Sequence, residues 1–255
     1  MRPIWQALIV IAIVLLAEHG ASVAVPQQPA STMQSMSVAD LEKTADSYRA
    51  QKNYEEALTY FKEAVRKDPK NTHLYNKLGL VELSLGDYAA ARSDFARATK
   101  LDRTYPEAWN DLGVISYIQK KYGSAVKYFQ KAIALDENRA SFHVNLGVTW
   151  FARNDMEKAM REYTRALAID PEALARNSAA GVSAQILSRE DRARQEYLLA
   201  KVFAKMGNVD SCLVCLKKAK EEGYTDLGNV YKDEEFSQVR QDTRLSEIIP
   251  PPASK

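Results

Sequence analysis

From residue 38 to residue 171 apolar side chains recur at three- and four-residue steps, and short polar stretches interrupt them at regular intervals. That is the pattern of amphipathic helices joined by tight turns. The pattern also repeats as a whole. Small residues return every 34 positions, at Ala57, Ala91, Ala125 and Ala159 and again at Ala64, Ala98, Ala132 and Ala166, with a large aromatic between them at Phe61, Phe95, Phe129 and Tyr163. Leu78-Gly79, Leu112-Gly113 and Leu146-Gly147 keep the same register, as do Tyr54, Tyr88 and Tyr122 and the acidic residues Asp68, Asp102, Asp136 and Asp170. Self-similarity of this length marks a stacked array in which each unit buries its apolar face only against its neighbours. In the second unit the spacing predicts a helix A over Thr72 to Leu85, a turn at Gly86-Asp87 and a helix B over Tyr88 to Lys100. A glycine inside a helix costs about 1 kcal/mol against alanine, so Gly79, Gly113 and Gly147 imply that helix B crosses close to helix A there.

Trp109, Leu112, Gly113, Ala125, Phe129 and Ala132 together resemble the signature of the tetratricopeptide repeat, and the resemblance runs without a gap from Val38 to Pro171. It implies an all-α fold, a right-handed α-solenoid of tetratricopeptide helix hairpins. Successive units begin at Val38, Thr72, Pro106 and Ala140, which gives four regular units over residues 38–171. A fifth, degenerate unit is predicted over residues 193–226 after an insert at 172–192, with Leu199-Ala200 in the leucine-glycine place and Cys212, Leu216 and Ala219 in the helix B places. Residues 227–249 are expected to form capping helices that cover the last apolar face through Val230, Phe236, Val239, Leu245 and Ile248. Three prolines then head a disordered tail, residues 250–255.

The N-terminus stands apart from the array. Arg2 precedes an apolar run from Ile4 to Ala17, and Ser22-Val23-Ala24 offers small residues where a signal peptidase reads. The run suits a signal peptide over residues 1–24 and is shorter than the roughly 20 residues that span a bilayer. Export is therefore expected, to a periplasm or the outside, followed by a flexible leader at 25–37. The alternative is an uncleaved segment, residues 4–17, anchored in an inner membrane. The C-terminal part resembles that of exported bacterial tetratricopeptide proteins, in keeping with export.

Charge adds little about partners. Lys and Arg total 35 against 33 Asp and Glu, a net charge of +2. Basic residues cluster on the predicted B helices, at Arg92, Arg97 and Lys100 and at Lys127 and Lys131, but acidic residues interleave elsewhere and no aromatic stacking pattern accompanies them. They read as a solvated outer face, and nucleic acid is not an expected partner. His143 occupies the place held by Leu41, Tyr75 and Trp109 in the other units, which makes it a packing residue, and His73 lies one residue into its helix. Phosphate-binding glycine loops, a serine elbow and a histidine-pair zinc motif are all lacking, so neither catalysis nor a metal or other cofactor is implied. Cys212 and Cys215 are read two ways: as buried thiols in helix B of the fifth unit, or as a disulfide or redox pair in an exported protein.

The resemblance implies a partner site on the inner face, which the A helices line. Counting along them gives Glu42, Asp46 and Arg49, then Asn76, Leu80 and Leu83, then Asn110, Val114, Tyr117 and Ile118, then Val144, Val148 and Phe151. The face turns from charged to apolar, and a helix that is apolar on both sides is normally covered on both. One cover is a protein or peptide partner laid over the apolar floor and held by Asn76 and Asn110. The other is the insert, whose Gly181 to Leu187 stretch suits folding back into the groove. Some tetratricopeptide domains clamp acidic C-terminal peptides. Here Glu42, Asp46, Glu107 and Asp111 are expected to repel such a ligand, which favours a neutral or basic partner segment. The expected function is thus an exported, non-catalytic scaffold that binds a protein or peptide. Its rivals are a thiol redox module using Cys212 and Cys215, and an accessory subunit of an envelope assembly complex held to the membrane by its N-terminus.

Overall fold

The computed structural model describes residues 30–174 and 188–252, and among them every regular element is helical. A short helix α1 (Ala30–Ser35) precedes α2 (Val38–Ala50), α3 (Tyr54–Lys67), α4 (Thr72–Ser84), α5 (Tyr88–Leu101), α6 (Pro106–Ile118) and α7 (Tyr122–Leu135). Then follow α8 (Ala140–Ala152), α9 (Met156–Ile169), α10 (Arg189–Lys205) and α11 (Val209–Glu222). Three 3-10 turns (Leu227–Tyr231, Glu234–Phe236, Val239–Gln241) and α12 (Arg244–Ile248) close the chain. The closest packing lies within the pairs α2/α3, α4/α5, α6/α7, α8/α9 and α10/α11, and each second helix also packs on the first helix of the next pair. The architecture is an α-solenoid of helical hairpins. Among the described residues no helix is long and apolar enough to cross a membrane.

Local chemistry sets the hairpin ends. Asn71, Asp87, Asp155, Ser188 and Asn208 each accept a hydrogen bond from the backbone N–H three residues on, capping the helix that follows, and Pro106 opens α6, where its missing N–H has no partner to lose. Inside each hairpin one residue adopts a left-handed backbone: Lys52, Gly86, Lys120, Asn154 and Gly207, with φ between 57° and 81°. The N–H after each reaches back five residues, as from Asn53 to Tyr48 O at 2.9 Å and from Lys121 to Ser116 O at 2.8 Å, so the end of helix A is satisfied in the same way five times.

The glycines of the A helices do more than permit a close crossing. A Cβ on Gly79 would lie 2.6 Å from Phe95 Cε1, on Gly113 2.5 Å from Phe129 Cε1, and on Gly147 2.8 Å from Tyr163 Cε1. The aromatic of each B helix occupies the volume that an alanine methyl would need, and Phe61, Phe95, Phe129 and Tyr163 are all buried.

Three boundaries differ from the sequence expectation. The leader expected to be flexible carries α1, tied down where the Lys67 ammonium donates to the carbonyls of Gln34 (2.7 Å) and Met36 (2.5 Å). Helix α10 begins at Arg189, inside the expected insert, because Ser188 accepts from the Asp191 N–H and Glu190 and Asp191 suit a first turn. The cap is mainly 3-10 turns rather than capping helices; Val230, Phe236, Val239 and Leu245 are buried as expected, and Ile249 is buried more fully than Ile248. The signal peptide, the first part of the leader, Gly181 to Leu187 and residues 253–255 lie outside the described residues.

Candidate binding groove

A polar ladder crosses the A helices, joining each unit to the next. The Lys77 ammonium donates to Glu42 Oε1 (2.6 Å) and Asp46 Oδ2 (2.5 Å). Asn76 Nδ2 donates to Asp111 Oδ2 (3.1 Å), and Asn145 Nδ2 donates to Asn110 Oδ1 (2.9 Å). Asn110 Nδ2 also donates to Asp111 Oδ1 at 3.0 Å, linking two rungs. Asn76–Asp111, Glu42–Lys77 and Asn110–Asn145 each join residues 35 apart, one more than the period, while Asp46–Lys77 joins residues 31 apart. Burial pushes the Asp111 carboxyl up to about 6 against the lowering effect of its two amide donors. Lys77, Asp111 and Asn145 are ladder residues that helical periodicity alone misses. Their signal is complementary side chains at the period plus one.

The ladder changes the expected electrostatics of the groove. Glu42 and Asp46 share the Lys77 ammonium, Asp46 also meets the Arg49 guanidinium at 2.9 Å, Glu107 is paired with Arg139 at 3.0 Å, and Asp111 is buried between two amides. Each of the four carboxylates expected to repel an acidic guest is thus engaged within the array, Asp111 by uncharged donors alone.

The predicted site residues divide into two sets. Leu80, Leu83, Asn110, Val114, Tyr117 and Ile118 are partly exposed, with α4 and α6 contributing the face in two consecutive units. Leu80 and Leu83 pack against a cluster that contains Phe95, Leu112 and Ile115, while Val114 and Tyr117 pack against the next cluster. Asn76, Val148 and Phe151 are buried, at 4%, 7% and 4% exposure, and so offer a guest little surface. Val144, Val148 and Phe151 share their cluster with Leu198 and Val202 of α10. The apolar floor of the fourth unit is thus core. Further on, the chain covers its own inner face: Tyr197 Oη donates to Asp233 Oδ2 (3.0 Å), its ring meets Phe236 at 5.6 Å, and Lys201 pairs with Asp233 (3.1 Å) and Glu235 (3.2 Å).

Where the open floor meets the covered end lies a cleft of 460 Å³, lined by Tyr117, Lys120, Tyr122, Phe151, Ala152, Asn154, Asp191 and Arg194. The Arg194 guanidinium lies 5.7 Å over the Phe151 ring and donates to Asn154 Oδ1 at 2.6 Å. Burial pushes the Tyr117 phenol up to about 12, with the Tyr122 and Asp191 charges adding, so its hydroxyl is a neutral donor at physiological pH. Asparagine, phenol and guanidinium groups around an apolar floor can hold a polypeptide backbone and its apolar side chains.

Cys212 and Cys215 lie far along the chain from this face, both buried in α11 and both free thiols. Burial pushes Cys212 up to about 12 and Cys215 up as well, where the neighbouring Glu196 adds to the effect. A thiol so raised is a poor source of thiolate. His143 braces α8, with Nδ1 2.7 Å from Glu162 Oε2 and Nε2 3.2 Å from Glu137 O. Among the described residues no group of His, Cys, Asp and Glu side chains is placed to hold a metal ion.

Comparison with known proteins agrees with this geometry. Two family models described as tetratricopeptide repeat match the chain, one over residues 42–106 and again over 76–140, the other over 116–186. No curated protein matches the sequence. Among solved structures, a thermophilic TPR protein of Thermus thermophilus is similar at 19% identity and a TM-score of 0.52, covering 81% of this chain and 100% of its own. MamA is similar at 21% identity and a TM-score of 0.51 over 77% of this chain and 95% of its own, and the MamA 41-end fragment from Desulfovibrio magneticus RS-1 at 19% and 0.51 over 72% and 94%. At these identities the likeness concerns the fold.

Proposed function

The chain belongs to the tetratricopeptide repeat family, and from that premise we propose that it is a non-catalytic scaffold that binds a segment of another protein along the inner face of its second and third units. The observation that carries this is the row of partly exposed apolar side chains, Leu80, Leu83, Val114, Tyr117 and Ile118, on consecutive A helices, with Asn110 beside them. The helices are held rigid by the ladder and the glycine–aromatic contacts, so the receptor's ordering cost is met before a guest arrives. A guest gains affinity from apolar burial, with backbone hydrogen bonds to the polar groups around the cleft.

We further propose that the scaffold works outside the cytoplasm, on the strength of the charged start, apolar run and small-residue site within residues 1–24. Fractionation of the native cell and N-terminal sequencing of the recovered protein decide between cleavage near Ala24 and retention of an anchor. The redox alternative is disfavoured by the buried, raised thiols, and the membrane-anchored accessory subunit differs from the favoured reading only in its N-terminus.

Photo-cross-linking tests the groove. A photoreactive side chain at Leu83 or Ile118 is expected to capture a discrete partner in the native cell, and one at Gln130 on the opposite side is not. The double substitution Leu83→Ser/Tyr117→Ser is expected to abolish capture from Ile118 with the fold retained by circular dichroism. Undiminished capture from the double variant refutes this placement of the site.

A further inference from the structure

We propose that the outer face of the B helices α5, α7 and α9 docks on an anionic lipid bilayer through a stripe of cations repeated at the period of the array. Arg97, Lys131 and Arg165 occupy the same place in three successive B helices, 34 residues apart, and Lys127 and Arg161 stand one turn before the last two. All five are exposed. The matching place in the first unit holds Glu63, bonded to Arg66, so the stripe begins at the second.

Little on these helices offsets the charge. Among the described residues Arg97, Lys127, Lys131 and Arg165 form no ion pair; Arg97 lies 5.8 Å over the Tyr75 ring, and Arg161 meets Glu157 at 2.5 Å. The remaining carboxylates are engaged inward, Asp94 with Glu82 and Glu162 with His143. The whole chain carries a net charge of only +2, so the stripe is a local excess balanced elsewhere. Like charges one turn apart on a helix repel, and the fold gains nothing from Lys127 above Lys131 or Arg161 above Arg165.

The chemistry between the cations selects the partner. Ser93, Ala96, Gln130, Ala134 and Ala168 are the exposed residues beside them, the partly exposed Tyr128 is stacked on Trp109, and the exposed large apolar residues, Leu85, Tyr88, Met206 and Val214, stand off these rows. A folded protein partner needs apolar or aromatic anchors at the centre of its interface, and single-stranded nucleic acid needs aromatic faces to stack on. Long cationic stems among small side chains suit a surface whose anions are many, shallow and mobile, as headgroup phosphates are. Docking by this face leaves the inner groove free.

Sedimentation of the full chain with vesicles tests the proposal. Phosphatidylcholine vesicles are compared with vesicles containing about one third phosphatidylglycerol, so that any contribution of the N-terminal apolar run appears in both and cancels. The chain is expected to bind the anionic vesicles more tightly, with an increment that shrinks as salt is raised. Each cation at such a surface contributes roughly a fivefold factor, so Arg97→Gln/Lys131→Gln/Arg165→Gln is expected to lower the increment on the order of a hundredfold. The second row, Lys127→Gln/Arg161→Gln, is expected to lower it by roughly 25-fold on the same footing. A control that removes equal charge elsewhere, Lys43→Gln/Lys205→Gln/Lys217→Gln, is expected to retain most of it. Absence of any increment, an equal loss in the control, or stripe-dependent retention on polyglutamate or single-stranded DNA without retention on vesicles overturns the proposal.

Discussion

Glu82 of α4 and Asp94 of α5 are carboxyl groups turned toward one another inside the second unit. Burial, then the charge of Asp94, pushes Glu82 up to about 8, and burial raises Asp94 too, while Lys62 opposes both. Because the folded pKa lies above the unfolded value of 4.5, the native chain holds a proton that the unfolded chain releases. The associated stability is fully present below about pH 4.5 and is lost as pH rises through about 8. Glu82→Gln is therefore expected to raise the melting temperature by several degrees at pH 8 and leave it nearly unchanged at pH 4.5, read by thermal melts at both. Equal shifts at the two pH values assign the effect to packing instead. A second residue-scale prediction concerns the left-handed turn, which Lys52 and Lys120 occupy where Gly86 and Gly207 do so without steric cost. Lys52→Gly is expected to stabilise by about 0.5–1 kcal/mol, seen as a higher denaturant midpoint at unchanged slope, and Gly86→Ala to destabilise by a similar amount.

At the scale of the helix, identical substitutions have opposite signs. Gly113→Ala drives a methyl into the Phe129 ring, and overpacking of about 1–3 kcal/mol outweighs the propensity gain of about 1. Gly123, in the first turn of α7, has open space where its Cβ would be, and Gly123→Ala is expected to stabilise by up to about 1 kcal/mol. Chemical denaturation of both variants checks the pair, and partial rescue of Gly113→Ala by Phe129→Leu locates the clash. The hairpins were legible because a 34-residue period carries both helices, their turn and the glycine–aromatic contact together. What was not legible follows from the same logic. Residues 227–249 belong to no repeat, and their short 3-10 turns leave no 3.6-residue stripe to read, although the buried Val230, Phe236, Val239 and Leu245 were identifiable as apolar.

Across the whole molecule the cap covers the inner face of the last hairpin, and in a quasi-one-dimensional array its loss is felt locally. Phe236→Ala is expected to cost about 3–5 kcal/mol in the stability of α10 and α11, with hydrogen exchange accelerating there and remaining slow in α4 to α7. The exposure of the inner face is legible in part: Leu80, Leu83, Val114, Tyr117 and Ile118 stand partly exposed along α4 and α6, but whether Val148 and Phe151 stand open depends on what packs over them, which periodicity does not encode. Nor does periodicity distinguish a free asparagine from one already spent on a neighbour, as Asn76 is on Asp111. That ladder makes the units non-interchangeable, since each rung is written half in one hairpin and half in the next. Excising residues 106–139 would bring Asn145 opposite Asn76, a match of two amides, whereas excising 72–105 would set Asp111 against Glu42 and Asp46 with Lys77 gone. Of two shortened chains equal in length and period, the first should assemble and the second should not, so neighbour order in this array is specified by side-chain grammar.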